Sequence, residues 1–272
     1  MPFTLAHPFL ILPVARRARG LPLSALVIGS MSPDFPYFLM LHSELYHLGH
    51  SIVGQFVFCL PAGLLALALF HGLLKMPLIA LLPRYQAERL VDVAARFRPH
   101  RLRDCIGTVA GLLVGSFGHV ALDNFTHVQG WAVLRLPLLR GTLPWVHQPV
   151  YKALQYGLSF AGLYILYAAY LHWLSTQPPS QDTERALDPR LRPADVRLLL
   201  AGTVLLSCVI GPLHTLTEYR MTLDREPPKR LFSDTLEAGM TTATLCLAGY
   251  SLFWHRAHRR RLAAIDTTAR VG

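Results

Sequence analysis

Charged residues are scarce in this 272-residue chain. Asp, Glu, Lys and Arg make up 15% of it, whereas a typical soluble domain carries about 25%. Hydrophobic residues make up 52%, and they are grouped in runs close to the roughly 20 residues that cross a bilayer. This composition excludes a soluble enzyme with a single core, and it excludes a disordered chain. It predicts a polytopic membrane protein.

Cysteine is also scarce. The four cysteines, Cys59, Cys105, Cys208 and Cys246, stand singly in apolar runs and form no C-x-x-C pair. This spacing argues against a disulfide scaffold and against a cysteine metal site, so we interpret them as small buried hydrophobic residues. No basic residue precedes the first short apolar run, and we therefore expect no cleavable signal peptide.

The apolar runs predict an all-α transmembrane bundle with about six membrane segments. They cover roughly residues 21–41, 51–74, 105–124, 150–174, 196–216 and 233–254. The first segment contains Asp34 between Pro33 and Pro36, so two alternatives remain open for it. It is either a full span or one arm of a re-entrant hairpin that turns at the arginines of residues 16–19.

The chain is expected to divide at a proline-rich stretch. Residues 1–174 form a membrane-embedded core that holds the unusual polar residues, and residues 175–195 form a linker. Residues 196–255 form a two-helix membrane hairpin, and residues 256–272 form a basic tail. Within the first part, the pattern of residues 84–97 predicts an amphipathic helix that lies along the membrane surface.

Basic residues are distributed unevenly about the predicted spans. The formal net charge is +10, but membrane proteins concentrate Lys and Arg in cytoplasmic loops, so we expect no nucleic-acid partner. If both termini are cytoplasmic, 19 of the 26 Lys and Arg residues fall on the inner side. This bias predicts cytoplasmic termini and places residues 42–50 and 125–149 on the outer side.

The most informative stretch is GSFGHVALDNFTHVQGW, residues 115–131. His119, Asp123 and His127 are spaced four apart, so a helix presents them over one face. His119 and Asp123 are close enough to bind one ion, whereas His127 lies a further turn along and is a weaker candidate for it. A hydrogen-bonded polar pair is the alternative interpretation. Gly111, Gly115 and Gly118, which precede this face, indicate close helix packing.

Two other stretches carry candidate ligands on the same predicted side. Asp34 lies in SMSPDFPYF (residues 30–38), where it needs either a cation or an ion-pair partner. The loop HSELYHLGHS (residues 42–51) contains three histidines, His42, His47 and His50. His7 can join them only if the first segment forms the hairpin.

These motifs resemble an uncharacterised bacterial integral-membrane family of unknown function. The similarity lies in the start MPFTLAHP, in PLSALVIGSMSPDFPYF, in the His-Ser pair at 50–51 and in GHVALDNFTHVQGW, and it covers about residues 1–157. The order of motifs is more distantly similar to the membrane-bound metal-dependent hydrolases. That group in turn resembles the zinc-dependent phospholipase C fold.

The resemblance implies a metal site with five ligands: His7, Asp34, His50, His119 and Asp123. The chain departs from the hydrolase motif P-D-x-D-H. Its residues 33–37 read PDFPY, so the second aspartate and the histidine of the motif are both replaced. Gly118 also replaces the serine that usually precedes the motif histidine.

The expected function is a bacterial inner-membrane hydrolase of an ester or phosphoester, with a lipid as one candidate substrate. Its cofactor would be one divalent ion, most simply zinc, and His127 would act as the catalytic acid or base. The alternative is a non-catalytic membrane protein, either a cation transporter or an assembly factor, that uses the same His/Asp cluster. Membrane lipids are the expected partners, and the sequence does not define the oligomeric state.

Overall fold

The computed structural model describes residues 4–18, 20–38, 43–95, 101–188, 191–222 and 228–271. Its helices are α1 (Leu12–Arg17), α2 (Leu23–Gly29), α3 (Phe35–Phe38), α4 (Ser43–Gly49), α5 (Ile52–Leu81), α6 (Arg84–Ala95), α7 (Leu102–Thr126), α8 (Trp131–Arg135), α9 (Pro137–Arg140), α10 (Val150–Ser175), α11 (Thr183–Leu187), α12 (Pro193–Thr222) and α13 (Pro228–Val271). Two 3₁₀ turns cover Thr4–Ile11 and Ser32–Asp34, and α5 contains two π-helical turns, Gln55–Cys59 and Phe70–Leu74. Strands β1 (Thr142–Leu143) and β2 (Gln148–Pro149) pair antiparallel.

Four helical segments among the described residues are long and apolar enough to cross a membrane. They are Ile52–Leu81, Leu102–Arg135, Val150–Ser175 and Ala194–Leu213. Their length and composition indicate a membrane protein of the helical class, as predicted, but the count of about six segments is not confirmed. The first predicted segment contains only α2 before Pro33 and Pro36 interrupt it, and the seven residues of α2 rise only about 10 Å. The sixth lies within α13.

The chain forms two compact units. Unit 1 contains residues 1–36, 42–67 and 99–176, and unit 2 contains residues 37–41, 68–98 and 177–272. All of the predicted ligands belong to unit 1.

Helix α7 is the central element of unit 1, and α2 packs closely on it. The side chains of Ala25, Leu26 and Leu112 at this contact are almost completely buried. A Cβ atom on Gly115 would lie 2.3 Å from the carbonyl oxygen of Leu26, so only glycine permits this approach. The packing explains Gly111 and Gly115 of α7, and it brings the end of α2 beside the polar face of the helix.

The N-terminal residues of unit 1 fold back towards this polar face. The turn Thr4–Ile11 contains Pro8, which has no N–H for a regular helix, and it packs on α10 beside Gly162. Helix α1 follows this turn directly, and α2 is a separate short helix. The described part of residues 21–41 is therefore not one continuous helix, and the re-entrant hairpin stays a prediction.

Unit 2 has its own hydrophobic core. Its buried residues are Ile79, Ala80, Ala87, Val91, Leu187, Tyr250 and Trp254. The amphipathic stretch of residues 84–97 forms α6 as far as Ala95, and its apolar residues Ala87 and Val91 pack in this core. The segment after α10 is attached to α6 as well, since the amide of Ser180 donates a hydrogen bond to the Glu88 carbonyl at 2.8 Å.

Candidate metal centre

The predicted polar face of α7 is buried in unit 1. His119 is 0% exposed and Asp123 7% exposed, and their Nε2 and Oδ2 atoms lie 3.3 Å apart on successive turns. His127 follows the last residue of α7 and has extended backbone angles, φ −116° and ψ 144°. The helix therefore presents His119 and Asp123 together, whereas His127 extends from its C-terminal end.

The ring of His119 is oriented by a main-chain carbonyl. Its Nδ1 lies 2.8 Å from the carbonyl oxygen of Ser30, and because a carbonyl only accepts, Nδ1 carries the hydrogen. Nε2 then either carries a second hydrogen, which makes the ring a cation, or keeps a lone pair. Among the described residues it has no hydrogen-bond partner, although it lies 3.3 Å from Asp123 Oδ2 and 3.6 Å from Asp34 Oδ1. A lone pair that faces two carboxylates in a buried position is stabilised by a cation between them.

Asp34 is supplied by the 3₁₀ turn after α2 and is 4% exposed. The hydroxyl of Thr4 donates a hydrogen bond to its Oδ2 at 2.6 Å. Its other oxygen, Oδ1, faces His119 and His50. The carboxylate is therefore anchored at one oxygen and directed into the cluster with the other.

His50 is supplied by the turn before α5. Its Nε2 lies 3.2 Å from Asp123 Oδ2 and 3.7 Å from Asp34 Oδ1. The side-chain amide of Gln55, in the first π-helical turn of α5, donates to the carbonyls of Gly49 and Ser51 at 2.6 and 3.1 Å. These two bonds fix the backbone on both sides of His50.

His7 is brought to the cluster by the N-terminal turn. Its ring stacks on that of His119, with centroids 3.8 Å apart and an angle of 15° between the planes. Nδ1 lies 3.3 Å from the Thr4 carbonyl and Nε2 lies 3.4 Å from Asp123 Oδ1. His7 must either carry hydrogens on both nitrogens or keep an Nε2 lone pair for a cation, and the second state avoids a buried charge stacked on another imidazole.

The five side chains fit the donor set of a divalent transition metal. Two overlapping groups have ligand atoms within 4.8 Å of one another: His7, His119 and Asp123, and Asp34, His50 and His119. The separations between the histidine Nε2 atoms and the carboxylate oxygens run from 3.2 to 3.7 Å. Atoms bound tetrahedrally to one ion at about 2.0–2.2 Å lie about 3.3–3.6 Å apart. This buried group could hold a metal ion.

His127 contacts the cluster from outside. Its Nδ1 lies 3.3 Å from Asp123 Oδ1, and the side-chain amide of Gln155 on α10 lies 3.2 Å from its Nε2. It is half-buried, with 26% of its side chain exposed. The geometry makes His127 a neighbour of the predicted ligand Asp123 rather than a member of either metal-binding group.

An open pocket of about 310 Å³ lies beside the cluster. Its walls are His47, His50, Ser51, Val120, Asp123, Asn124, His127, Gln129 and Gly130. None of these described residues is Lys or Arg, so the positive charge available to an anionic ligand would come from the metal centre and from imidazoles. His47 lines this pocket and belongs to neither group of ligand atoms, and His42 lies outside the described residues.

Three neighbours of the cluster were not predicted from the sequence: Thr4, Ser30 and Gln155. Thr4 contacts Asp34, Ser30 contacts His119, and Gln155 contacts His127. Only Gln155 carried a signal, since it is an amide in the apolar stretch of α10. Ser30 acts through its carbonyl, which no side-chain pattern reveals.

A family model for a domain of unknown function, DUF4184, matches residues 1–251. The chain belongs to the DUF4184 family. No curated protein and no solved structure matches it. Membership of DUF4184 agrees with the expected resemblance to an uncharacterised family and extends it beyond residue 157, whereas the more distant similarity to membrane-bound hydrolases stays a prediction.

Proposed function

We propose that this DUF4184 protein is a membrane-bound metal-dependent hydrolase of esters or phosphoesters. The observation that supports it best is the state of His119. Its Nδ1 hydrogen is donated to Ser30, and its Nε2 faces two carboxylates without a hydrogen bond. Histidines that bind metals commonly donate their second N–H to a backbone carbonyl in this manner.

Zinc is the ion that we propose for the centre. Imidazole nitrogens and carboxylate oxygens at these separations suit zinc. Either group of three ligand atoms would leave a tetrahedral ion one position for water, as in catalytic zinc sites. Such an ion, when bound, supplies an acidified water and polarises the ester group. His7, Asp34, His50, His119 and Asp123 are the proposed ligands.

The residues of the pocket wall have separate roles in the proposed reaction. Water attacks the phosphorus or acyl carbon, the bond to the alcohol breaks, and the departing alkoxide takes a proton. His127 lines the pocket and lies against Asp123, so we assign it as the catalytic acid or base that moves this proton. Gln155 holds the other nitrogen of its ring.

We propose the bacterial inner membrane as the location, with the C-terminal tail cytoplasmic and the pocket on the outer side. Because Thr4 hydrogen-bonds Asp34 in the cluster, the N-terminus belongs with the pocket, and the cytoplasmic N-terminus expected from the sequence is not part of the proposal. The support is the asymmetry of the basic residues, of which 19 of 26 lie on the inner side under this topology. Membrane lipids are then the immediate partners of the four apolar helices.

The transport alternative predicted from the sequence has less support. A cation path needs polar groups through the full depth of the bilayer. In the described part of unit 1, the buried histidine and acidic side chains are His7, Asp34, His119 and Asp123, and all of them belong to the one cluster. This one-sided placement favours a reaction site.

Metal analysis of variants tests the proposal. Detergent-purified protein is expected to hold about one zinc ion and to hydrolyse p-nitrophenyl esters or phosphates. His119→Ala and Asp123→Ala should lose most of the metal, because the remaining ligands cannot complete the shell. The matched control is His172→Ala. It changes a histidine near the far end of α10, away from the cluster, and the variant should keep its metal.

His127→Gln separates the catalytic role from the metal-binding role. This variant is expected to keep its zinc and to lose activity by roughly 100-fold or more, in line with the loss of a catalytic acid or base. Stoichiometric zinc in His119→Ala protein, or a wild-type protein without metal, would reject the assigned centre.

A further inference from the structure

The cluster lies close to one end of three membrane-length helices. His119 and Asp123 precede the last residue of α7, Thr126, by seven and three residues, which is about 5–11 Å along the helix. His50 precedes the first residue of α5 by two residues. Gln155 lies five residues after the start of α10, about 8 Å along it. All three helices therefore place the cluster near the boundary between lipid tails and headgroups.

The pocket is small for a complete amphiphile. Its volume of about 310 Å³ is at the low end of the roughly 300–1,000 Å³ of ligand pockets. It can enclose a polar headgroup, whereas acyl chains must remain outside. The uncharged polar walls Ser51, Asn124 and Gln129 suit such a headgroup.

An apolar surface continues from the pocket wall along α5 and α7. Phe117, Val120 and Asn124 are three and four residues apart and share one face of α7. Val120 lines the pocket, while Phe117 is 39% exposed. On α5, Val53 and Phe56 follow Ser51 and are 64% and 52% exposed. We call Val53, Phe56 and Phe117 the collar.

The two helices contact each other at the collar. The rings of Phe56 and Phe117 meet edge to face, with centroids 6.0 Å apart. The collar is therefore one surface formed by both helices, and it leads from the lipid-exposed face of unit 1 to the pocket that holds His50 and Asp123.

We propose that the ligand of this pocket is a membrane phospholipid, with its phosphate beside the His/Asp cluster and its acyl chains on the collar. The inference rests on the proposed hydrolase function and narrows its substrate class. A phosphate suits the site because a cation and imidazoles supply positive charge there. A lipid, rather than a soluble phosphoester, matches the depth of the cluster and the exposed apolar collar beside the pocket.

The test uses the full-length protein loaded with Co²⁺ in detergent micelles. The visible absorption of the bound cobalt reports changes near the pocket without any need for turnover. Two probes with the same headgroup are titrated: dihexanoylphosphatidic acid and glycerol 3-phosphate. The collar variant is Phe56→Ala/Phe117→Ala, and the matched control is Phe160→Ala/Tyr164→Ala, which removes two exposed aromatic rings from α10.

The acylated probe is expected to change the cobalt spectrum of the wild type at a concentration at least about tenfold lower than glycerol 3-phosphate, because its chains gain apolar contact. The collar variant should bind Co²⁺ normally. It should need about tenfold more of the lipid than the wild type to change the spectrum, and the same concentration of glycerol 3-phosphate. The control variant should behave as the wild type, which removes any effect of lipid partition into the micelle.

The failures of the two proposals are distinguishable. A wild-type protein that binds no Co²⁺ would reject the metal centre on which the proposed function depends. Normal Co²⁺ binding with equal responses to both probes would overturn the lipid inference alone. So would a collar variant that responds to the lipid exactly as the control variant does.

Discussion

His119 and His7 are prepared for a cation by the main chain as much as by the carboxylates. Each places Nδ1 against a backbone carbonyl, of Ser30 and of Thr4 respectively. Each then directs Nε2 at Asp123. A fixed ring orientation and hydrogen position reduce the ordering that metal binding must impose, which strengthens binding.

Thr4 is the side chain on which the orientation of Asp34 depends. Thr4→Val keeps the shape of the side chain but removes the hydroxyl that donates to Asp34 Oδ2. We expect zinc affinity to fall by about 10–100-fold, as for other neighbours of metal ligands, with the stoichiometry unchanged at saturation. Competition with a chromophoric chelator measures the affinity.

Thr4→Ser restores the donor and is the matched control for that variant. Its affinity should lie within about threefold of the wild type, since the hydrogen bond is retained. Equal affinities for the valine and serine variants would show that Asp34 needs no anchor.

The candidate ligands could be named from the sequence because their chemistry is unusual in its setting. Imidazoles and carboxylates in apolar runs are costly, and the spacing of four placed His119 and Asp123 on adjacent turns. The partners Ser30 and Thr4 could not be found in the same way. Ser30 is separated from His119 by 89 residues and contacts it through a carbonyl, so the bond depends on how α2 packs on α7.

At the scale of elements, the sequence predicts close helix packing at three glycines of α7. The structure shows that the three have different surroundings. Gly111 and Gly115 face α2, whereas a Cβ on Gly118 would meet nothing within 4 Å. Sequence spacing could not distinguish them, because which face meets a neighbour is decided by the tertiary fold.

Gly115→Leu is expected to destabilise unit 1. Its Cβ would lie 2.3 Å from the Leu26 carbonyl and 2.6 Å from the Ser30 amide, so α2 must move away. Overpacking of this kind typically costs about 1–3 kcal/mol, and the shift of Ser30 should also lower zinc affinity. Thermal unfolding in detergent and a chelator titration measure the two effects.

Gly118→Leu provides the control on the same helix. Open space surrounds that position, so its effect on stability should remain within about 0.5 kcal/mol. A similar loss in both variants would attribute the effect to helix α7 itself rather than to its contact with α2.

For the whole molecule, the membrane topology is predicted most directly by the sequence, whereas the fold says little about it. Apolar runs predicted the spans over α5, α7, α10 and α12 because length and hydrophobicity alone define them. The first run is not among these four spans, because Pro33 and Pro36 divide it into short pieces, and a hydropathy window averages over such breaks.

Cysteine labelling tests the proposed orientation. In a variant without the four native cysteines, Arg140→Cys should react with an impermeant maleimide in intact cells. Arg260→Cys should react only after permeabilisation, because the basic residues around it favour the cytoplasmic side. Both side chains are exposed, so access to the reagent depends on the membrane and not on burial. The opposite pattern would reverse the topology.

The cluster also joins parts of the chain that are far apart in sequence, since His7 and Asp123 are separated by 116 residues. A bound ion would therefore act as a cross-link that closes a long loop and restricts the unfolded chain. For loops of about this size, the chain-entropy estimate reaches about 4–5 kcal/mol, as an upper bound, because a membrane already confines the unfolded protein. Chelation should then lower the unfolding temperature of the wild type, and the Asp123→Ala variant, already without that link, should be insensitive to it.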